Sequence, residues 1–534
     1  MTKEHRWIWK ITGFMVGVAA LPYLIGLSLT PRGAMFYGNT AVSPGDPSIY
    51  YSYIEQGRAG QVFMTDSFTG EPPRSVIFEP LWFVVGQAAE FFHLSTALIF
   101  FIARLGSVIL LVHTLWWAIK WLWPDERRRR WGMWLTLGAG GFGWLAVAVT
   151  GHLMLNTTYI TPDLWVSEAY TLLTTWGSPH FILVTSGILF VLVAVERSWL
   201  EHRWRLTLWA GLVALLVIAI HPFHSITWVV AWALLTIWRW VSSRQFPGGY
   251  AIRWLAVAAM ASPLLLFYGL QLLFDPTIVG RAVQNINLTS PPWRVAIGLG
   301  LLLVGAVLGA WWWRPRDERW RWLVGLAIAY AVVIYLPLPF QRRLSHGMSI
   351  PLALLSVAAL ERWWQSVRKW GRGKRYVIGL VMGLALGGTW AVVLGWITSD
   401  YVLERQAPKH LYFISQEFQH YAGFVKQYIP PRQPILGTII EGNILAGMTA
   451  HQVYAGYGVE TLQFEKKLAD LRWFLGGANQ TTQRQFLLDQ HLCYILNSPR
   501  LRTYGDAFRP EQWPDLVVAW RGPTLTLYHL SSCT

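Results

Sequence analysis

The reactive side chains of this sequence gather in a few short stretches. Ser43 to Gly57, SPGDPSIYYSYIEQG, places one carboxylate, Asp46, in a Pro-Gly-Asp-Pro turn just past the first long apolar run. Asp66, Glu71 and Glu79 follow it, and Asp163 and Glu168 stand in residues 151 to 178. His152 ends one apolar run, His180 opens the next in SPHF, His221 and His224 flank a proline in HPFH, and His346 follows Arg342 and Arg343 in QRRLSHG. Acids, imidazoles and guanidiniums are the groups that move protons and hold anions. Each also has an architectural use. Asp46 can occupy a turn or cap a helix over Ser48 to Gln56, a histidine at a helix end can cap carbonyls, and Arg342 and Arg343 can reach up to lipid phosphates. The convergence of these groups at the ends of apolar runs, more than any one of them, points to chemistry, because polar side chains at membrane depth are costly and tend to line a cavity.

The elements that must position them are membrane helices. Of 534 residues, 54% are hydrophobic and only 13% charged, and runs of about 20 apolar residues, the length that crosses a bilayer, recur from Trp7 to Thr398. We read about eleven spans: 7–29, 97–122, 131–150, 179–196, 206–222, 225–241, 251–273, 293–313, 321–339, 348–364 and 376–398. The first run is too long for a signal peptide and has no small-residue cleavage site, so it reads as a retained span. Ser75 to Phe92 is apolar but contains Pro80, Gly86, Gln87 and Glu90, and it reads as a helix lying in the outer interface. The net charge of +16 could suggest nucleic acid. Its placement argues otherwise. Arg127 to Arg130, Arg197 to Arg205, Arg239 to Arg244, Arg314 to Arg321 and Arg362 to Arg375 all fall between spans, where positive charge fixes orientation. With the N-terminus cytoplasmic, every one of these clusters faces the cytoplasm, and the polar residues listed above collect on the outer face. Arg281, Arg342 and Arg343 are among the few basic residues left outside. The expected location is therefore a plasma or inner membrane, crossed many times, with no nucleic-acid partner.

After residue 398 the pattern changes. Residues 399–534 alternate helical and strand signals, with strands at PILGTI, HQVYAG and CYILNS and a closing hairpin from LVVAW to LTLYHL around Gly522-Pro523, which predicts a small extracytoplasmic α/β domain. TIIEGN has too few glycines to cradle a nucleotide, so no cofactor is assigned there. Cys493 and Cys533 both lie in this domain, where a disulfide is chemically permitted.

Three segments, GDPSIYYSYIEQGRAG, FEPLWFVVGQAAEFFHLS and FIARLGSV, together with the outer loop 30–95, its interfacial helices and the C-terminal domain, resemble the GT-C membrane glycosyltransferases, close to the protein mannosyltransferase and aminoarabinose transferase branch. The likeness covers roughly the first 125 residues well and the later spans as a general plan. Two departures stand out: Asp46 is followed by Pro47 where those enzymes often carry a second acid, and Glu79-Pro80 stands where many have Lys-Pro-Pro. The resemblance implies a polyprenyl-phosphate sugar donor, a lipid, glycan or protein acceptor, membrane lipids as surroundings, and Asp46 as general base at the outer face. It implies that Arg281, Arg342, Arg343, His180 and His221 steady the leaving phosphate. It further implies a divalent metal, Mg2+ or Mn2+, shared between Asp46 and an acid of the second outer loop, Asp163 or Glu168.

A lipid or polysaccharide transporter or flippase is the alternative. It calls for internal duplication, broken helices and ionisable groups at mid-membrane, whereas the sequence shows no repeat and carries its charges at helix ends. His113 is the exception, inside the second span. A scaffold without catalysis would not need Asp46, Arg281 and Arg342 to converge.

Overall fold

The computed structural model describes residues 2–42, 44–71, 76–151, 161–313, 316–406, 411–477, 479–505 and 507–533. Ser43, Ser75, His152 and Arg314 of the expectations above lie outside them. Among the described residues, seven helical stretches are long and apolar enough to cross a membrane: Lys3–Leu29, Thr96–Leu122, Pro179–Leu200, His224–Ser243, Gly248–Phe274, Gln341–Val367 and Arg372–Gln406. The protein is a polytopic, mainly helical integral membrane protein. Two predicted spans are not straight. Glu126–Gly138 meets Gly143–Thr150 at 41°, and Pro292–Leu299 meets Leu301–Trp312 at 83°. The other two expected spans are shorter helices, Trp204–Ile220 with 17 residues and Glu318–Val333 with 16.

The chain forms two compact units. The first comprises Met1–Pro22, Ala103–Gly269 and Ile286–Ser399, and the second Tyr23–Ile102, Leu270–Asn285 and Asp400–Thr534.

In the first unit, glycines explain both bends. Gly300 has φ +50, which favours glycine, and a Cβ there would lie 3.1 Å from the Cα of Gly141. A Cβ on Gly141 would in turn overlap the carbonyl of Gly298. The loops GAGGFG and GLG therefore meet backbone to backbone, and each interrupts a helix where apolar periodicity predicts continuity. Basic side chains of this unit lie over tryptophan rings, as Arg127 does over Trp131 and Arg239 over Trp199. Arg239 is buried and paired with both Glu196 and Glu318.

The second unit holds the strands. Ala34–Phe36 pairs antiparallel with Phe413–Ser415, and Phe63–Met64 with Ile77–Phe78. Ile435–Leu436, Tyr494–Asn497, Thr526–Leu530 and Leu516–Arg521 form one sheet in that order; the first pair is parallel and the rest antiparallel. The hairpin around Gly522-Pro523 is present. HQVYAG forms no strand of its own and makes only isolated bridges, Ile435 to Val453 and Thr69 to Ala455. Helices Phe464–Gly476 and Gln480–Asp489 cover the sheet through Leu471, Phe474, Leu475 and Leu487. Cys493 and Cys533 are joined by a disulfide.

Candidate functional site

Asp46 occupies the N-cap position of helix Pro47–Arg58, yet its side chain makes no capping hydrogen bond. Pro47 at the first helical position removes one of the N–H groups that a cap would serve. The carboxylate instead accepts a hydrogen bond from the hydroxyl of Tyr457. Two close approaches fix the helix that carries it. A Cβ on Gly447 of helix Ile439–Thr449 would overlap the Tyr37 hydroxyl and lie 3.0 Å from Ser48, and a Cβ on Gly86 of helix Pro80–Phe91 would lie 2.5 Å from the carbonyl oxygen of Ile54. The helix is consequently buried along most of its length, and its polar residues are satisfied inside the unit. Tyr51 donates to the carbonyl of Tyr37, Ser52 to Ser67, and Gln56 to the carbonyl of Thr65. At its far end Glu55 is paired with Lys426. Asp46, at the near end, is half-buried.

Arg281 belongs to the same unit. It lies on helix Pro276–Gln284, which Asp275 caps by accepting from the N–H groups of Thr277 and Ile278. Its guanidinium pairs with Glu460 and lies 3.7 Å from Asp66. Burial alone would lower its pKa, but Tyr53, Asp66 and Glu79 around it hold it above the ordinary value, so it stays charged. The acids pay for this crowding. Burial raises Asp66 despite the pull of Arg281, and burial pushes Glu79 up to about 8 against the same pull. Arg281 is thus a cation already matched by carboxyls.

The remaining candidates lie in the first unit. Asp163 is fully buried and its Oδ2 accepts three hydrogen bonds, from the N–H of Gly141 at 3.2 Å, the N–H of Gly143 at 3.0 Å and the hydroxyl of Thr389 at 2.7 Å. Those N–H groups are the ones freed where helix Glu126–Gly138 breaks before Gly143–Thr150. A broken span must satisfy its backbone internally, and Asp163 does so. Burial raises its pKa, and the donors from Thr161, Thr389, Gly143 and Gly141 hold the rise back.

Glu168 accepts from Ser167 at 3.2 Å and lies 3.8 Å from the Arg342 guanidinium. Burial pushes its carboxyl up, but Arg342, His346 and Arg343 outweigh that and leave it below the usual range. Arg342 also donates to Asn287 at 2.7 Å and lies over the Trp165 ring. Arg343 lies over Phe223.

His180 and His221, 5.0 Å apart between ring centres, belong to a buried group with His224 and His346. Among the described residues, His221, His224 and His346 are the one set of three or more potential ligand side chains whose donor atoms all lie within 4.8 Å of one another. Asp163 and Glu168, the first-unit acids expected to share Mg2+ or Mn2+, are engaged by protein donors, and the donors that come together within this unit are nitrogens. An apolar cavity of about 360 Å³ lies in the same unit, lined by Val295, Leu299, Leu303, Ile334, Tyr335 and Met348 among others.

Two groups at these sites escape a reading of the sequence: Tyr457 is 411 residues from Asp46, and Glu460 lies in no motif.

No protein-family model matches the sequence, and no curated protein sequence matches it. Solved structures do resemble it in fold. The Archaeoglobus fulgidus oligosaccharyltransferase tethered with an acceptor peptide matches with a TM-score of 0.52 at 11% identity, over 97% of this chain and 74% of that one. ArnT from Cupriavidus metallidurans bound to undecaprenyl phosphate matches at 0.51 and 11% identity, over 97% and 98%. The arabinofuranosyltransferase AftD from Mycobacteria matches at 0.52 and 15% identity, over 97% of this chain and 41% of the other. The fold is the GT-C membrane fold that the resemblance of the first 125 residues implies.

Proposed function

We propose that the chain is a membrane glycosyltransferase that moves a sugar from a polyprenyl-phosphate donor to a hydroxyl-bearing acceptor, with Asp46 as general base. The observation that carries this reading is that Asp46, half-buried, heads a buried helix without capping it and accepts a hydrogen bond from the Tyr457 hydroxyl. A carboxylate at that position is placed to accept a proton. In the proposed step Asp46 accepts the proton of the acceptor hydroxyl, the acceptor oxygen bonds to the anomeric carbon, and the bond from that carbon to the phosphate oxygen breaks. Polyprenyl phosphate leaves with the electron pair.

The donor class is supported by fold neighbours whose structures hold such lipids, undecaprenyl phosphate in ArnT and a dolichol-phosphate in the Archaeoglobus fulgidus oligosaccharyltransferase. The apolar cavity of the first unit offers room of the kind an isoprenoid needs. For the phosphate, the candidates are Arg281 in the second unit, and Arg342 and Arg343 as cations with His180 and His221 as neutral hydrogen-bonding imidazoles in the first, and single substitutions test each. A divalent metal would neutralise the leaving phosphate where one is bound. Asp163 and Glu168 are already held by Thr389, Gly141, Gly143, Ser167 and Arg342.

The same reading places the N-terminus in the cytoplasm, and residues 30–95 and 399–534 outside. Compact clustering of 23–102, 270–285 and 400–534 supports it, since the charge pattern assigns most of these residues to the outer face. A small ectodomain that covers the site or selects the acceptor suits the 399–534 segment.

The two bent helix pairs are a feature of transporters, and they favour a second reading, lipid translocation. At the first of them, however, Asp163 occupies the freed N–H groups. The test is reconstitution with a panel of polyprenyl-phosphate sugars and mass spectrometry of the products. Asp46→Asn should abolish transfer while insertion and folding persist. Full transfer by that variant, or lipid movement without any glycosylated product, overturns the proposal.

A further inference from the structure

Three histidines of the first unit have no role in the step above that requires them to be together. His221 ends helix Trp204–Ile220, His224 begins helix His224–Ser243, and His346 ends the short 3-10 helix Gln341–Ser345. Three element ends therefore converge. Ring centres are 4.6 Å apart for His224 and His346, and 5.6 Å for His221 with each of the others. His224 and His346 are completely buried and His221 is 7% exposed. Phe181 and Phe223 flank them, Phe181 at 5.3 Å from His346 and Phe223 at 4.9 Å from His221.

Burial of imidazole among aromatic rings calls for hydrogen-bond partners. Here Nδ1 of His221, both ring nitrogens of His224 and Nε2 of His346 have none. One nitrogen does. Nδ1 of His346 lies 3.0 Å from the carbonyl oxygen of Arg343, and since a carbonyl only accepts, Nδ1 carries the proton and Nε2 presents a lone pair. That is the arrangement by which metal-binding histidines are oriented: one ring nitrogen donates to a backbone carbonyl and the other is left to ligate. The backbone at this point is pinned as well. The Tyr330 hydroxyl donates to the carbonyl of His346 at 2.6 Å, the N–H of Gly347 donates to the carbonyl of Glu168 at 3.0 Å, and Gly347 turns the chain with φ +75.

We propose that His221, His224 and His346 form a three-imidazole site for a transition-metal ion of the Zn2+ class. Neutral imidazoles suit zinc, cobalt, nickel or copper, whereas magnesium and manganese favour oxygen. Three protein nitrogens leave one tetrahedral position open, the pattern of reactive rather than structural zinc. Nitrogens on a tetrahedral zinc lie about 3.4 Å apart, so the rings, now within 4.8 Å, need only rotate inward by roughly an ångström to close on the ion. Glu168, beside His346 and Arg342, supplies negative charge near the added cation. The site does not rest on Asp46, and Asp46→Asn should keep its ion.

The full-length protein, purified in detergent, stripped with chelator and then dialysed against buffered Zn2+, should retain about one ion per chain by elemental analysis. Co2+ in its place should give the intense visible absorption of a tetrahedral, nitrogen-ligated ion. His224→Ala and His346→Ala should lose the ion at a free Zn2+ concentration that saturates the parent, while His180→Ala, which alters the same aromatic surroundings without removing a ligand, should keep it. If the alanine variants fail to fold, the cobalt spectrum of the parent still decides. No uptake by the stripped parent, a weak octahedral cobalt spectrum, or an ion that survives substitution of His224 and His346 would overturn the proposal. Loss in His180→Ala would overturn the choice of these three ligands.

Discussion

Asp46 and Asp163 both follow an interruption of the apolar pattern, and the two compact units use them in opposite ways. Asp163 is fully buried and accepts three hydrogen bonds, two of them from backbone groups freed by a broken helix. Asp46 is half-buried and capable of capping a helix, but it leaves that helix uncapped and accepts from Tyr457. Burial of a carboxylate is costly unless hydrogen bonds compensate. Where donors converge, as on Asp163, the acid holds structure together. Where the acid stays half-buried and leaves its helix uncapped, as Asp46 does, it is the one proposed to take a proton. Residue type is the same for both acids; burial and the use of the carboxylate by backbone N–H groups separate them.

Paired substitutions should break or sharpen this contrast. Asp46→Asn should lower transfer by at least about 100-fold, the contribution expected of a general base, with an unchanged unfolding temperature in detergent. Asp163→Asn should do the reverse. It replaces charge-assisted bonds, each worth about 1.5–3 kcal/mol, and should lower stability by about 2–3 kcal/mol while each folded molecule retains its activity. Activity lost in Asp163→Asn without loss of stability would erase the distinction. Tyr457→Phe should cost about tenfold, near 1.4 kcal/mol, in kcat with KM unchanged. A purely structural tyrosine would move the unfolding temperature and leave that split untouched.

The smallest effects are in pH dependence, where the units should again differ in sign. Glu79 in the second unit has its pKa raised from 4.5 to about 8, so the stability it contributes is present below about 4.5 and lost as pH rises through 8. Glu79→Gln should flatten that alkaline decline. Glu168 in the first unit is shifted down, so its contribution is present above the ordinary carboxyl range and lost on acidification through its lowered value. Glu168→Gln should leave the alkaline limb alone and weaken the acid one. Unfolding temperature recorded against pH reads both.

Much of this was legible in the residues. Apolar runs of about 20 residues announce helices because the bilayer demands them, and seven of the eleven predicted stretches coincide with helices of the described residues long enough to cross it. The helix after Asp46, the helix after Pro80 and the last hairpin follow from Pro at N1 and from Gly-Pro turns. The bends at Gly138 to Gly143 and at Gly300 were not, since hydropathy measures apolar content and is blind to backbone passing backbone. HQVYAG has strand propensity, but its residues are spent on single bridges with neighbours from elsewhere. The partners of the acids were hidden for a different reason: Tyr457, Glu460 and Thr389 are brought in by tertiary packing across hundreds of residues, and nothing local marks them.

The pairing of Ala34–Phe36 with Phe413–Ser415 also bears on how the protein is made. The ribosome delivers the first of these strands early and the second only after every long apolar helix has emerged, and Tyr457 comes later still. Until then the helix after Asp46 has only its early neighbours, Tyr37 and helix Pro80–Phe91 among them. A nascent chain therefore lacks the Tyr457 contact, and the acid acquires it only after residue 457 has been made.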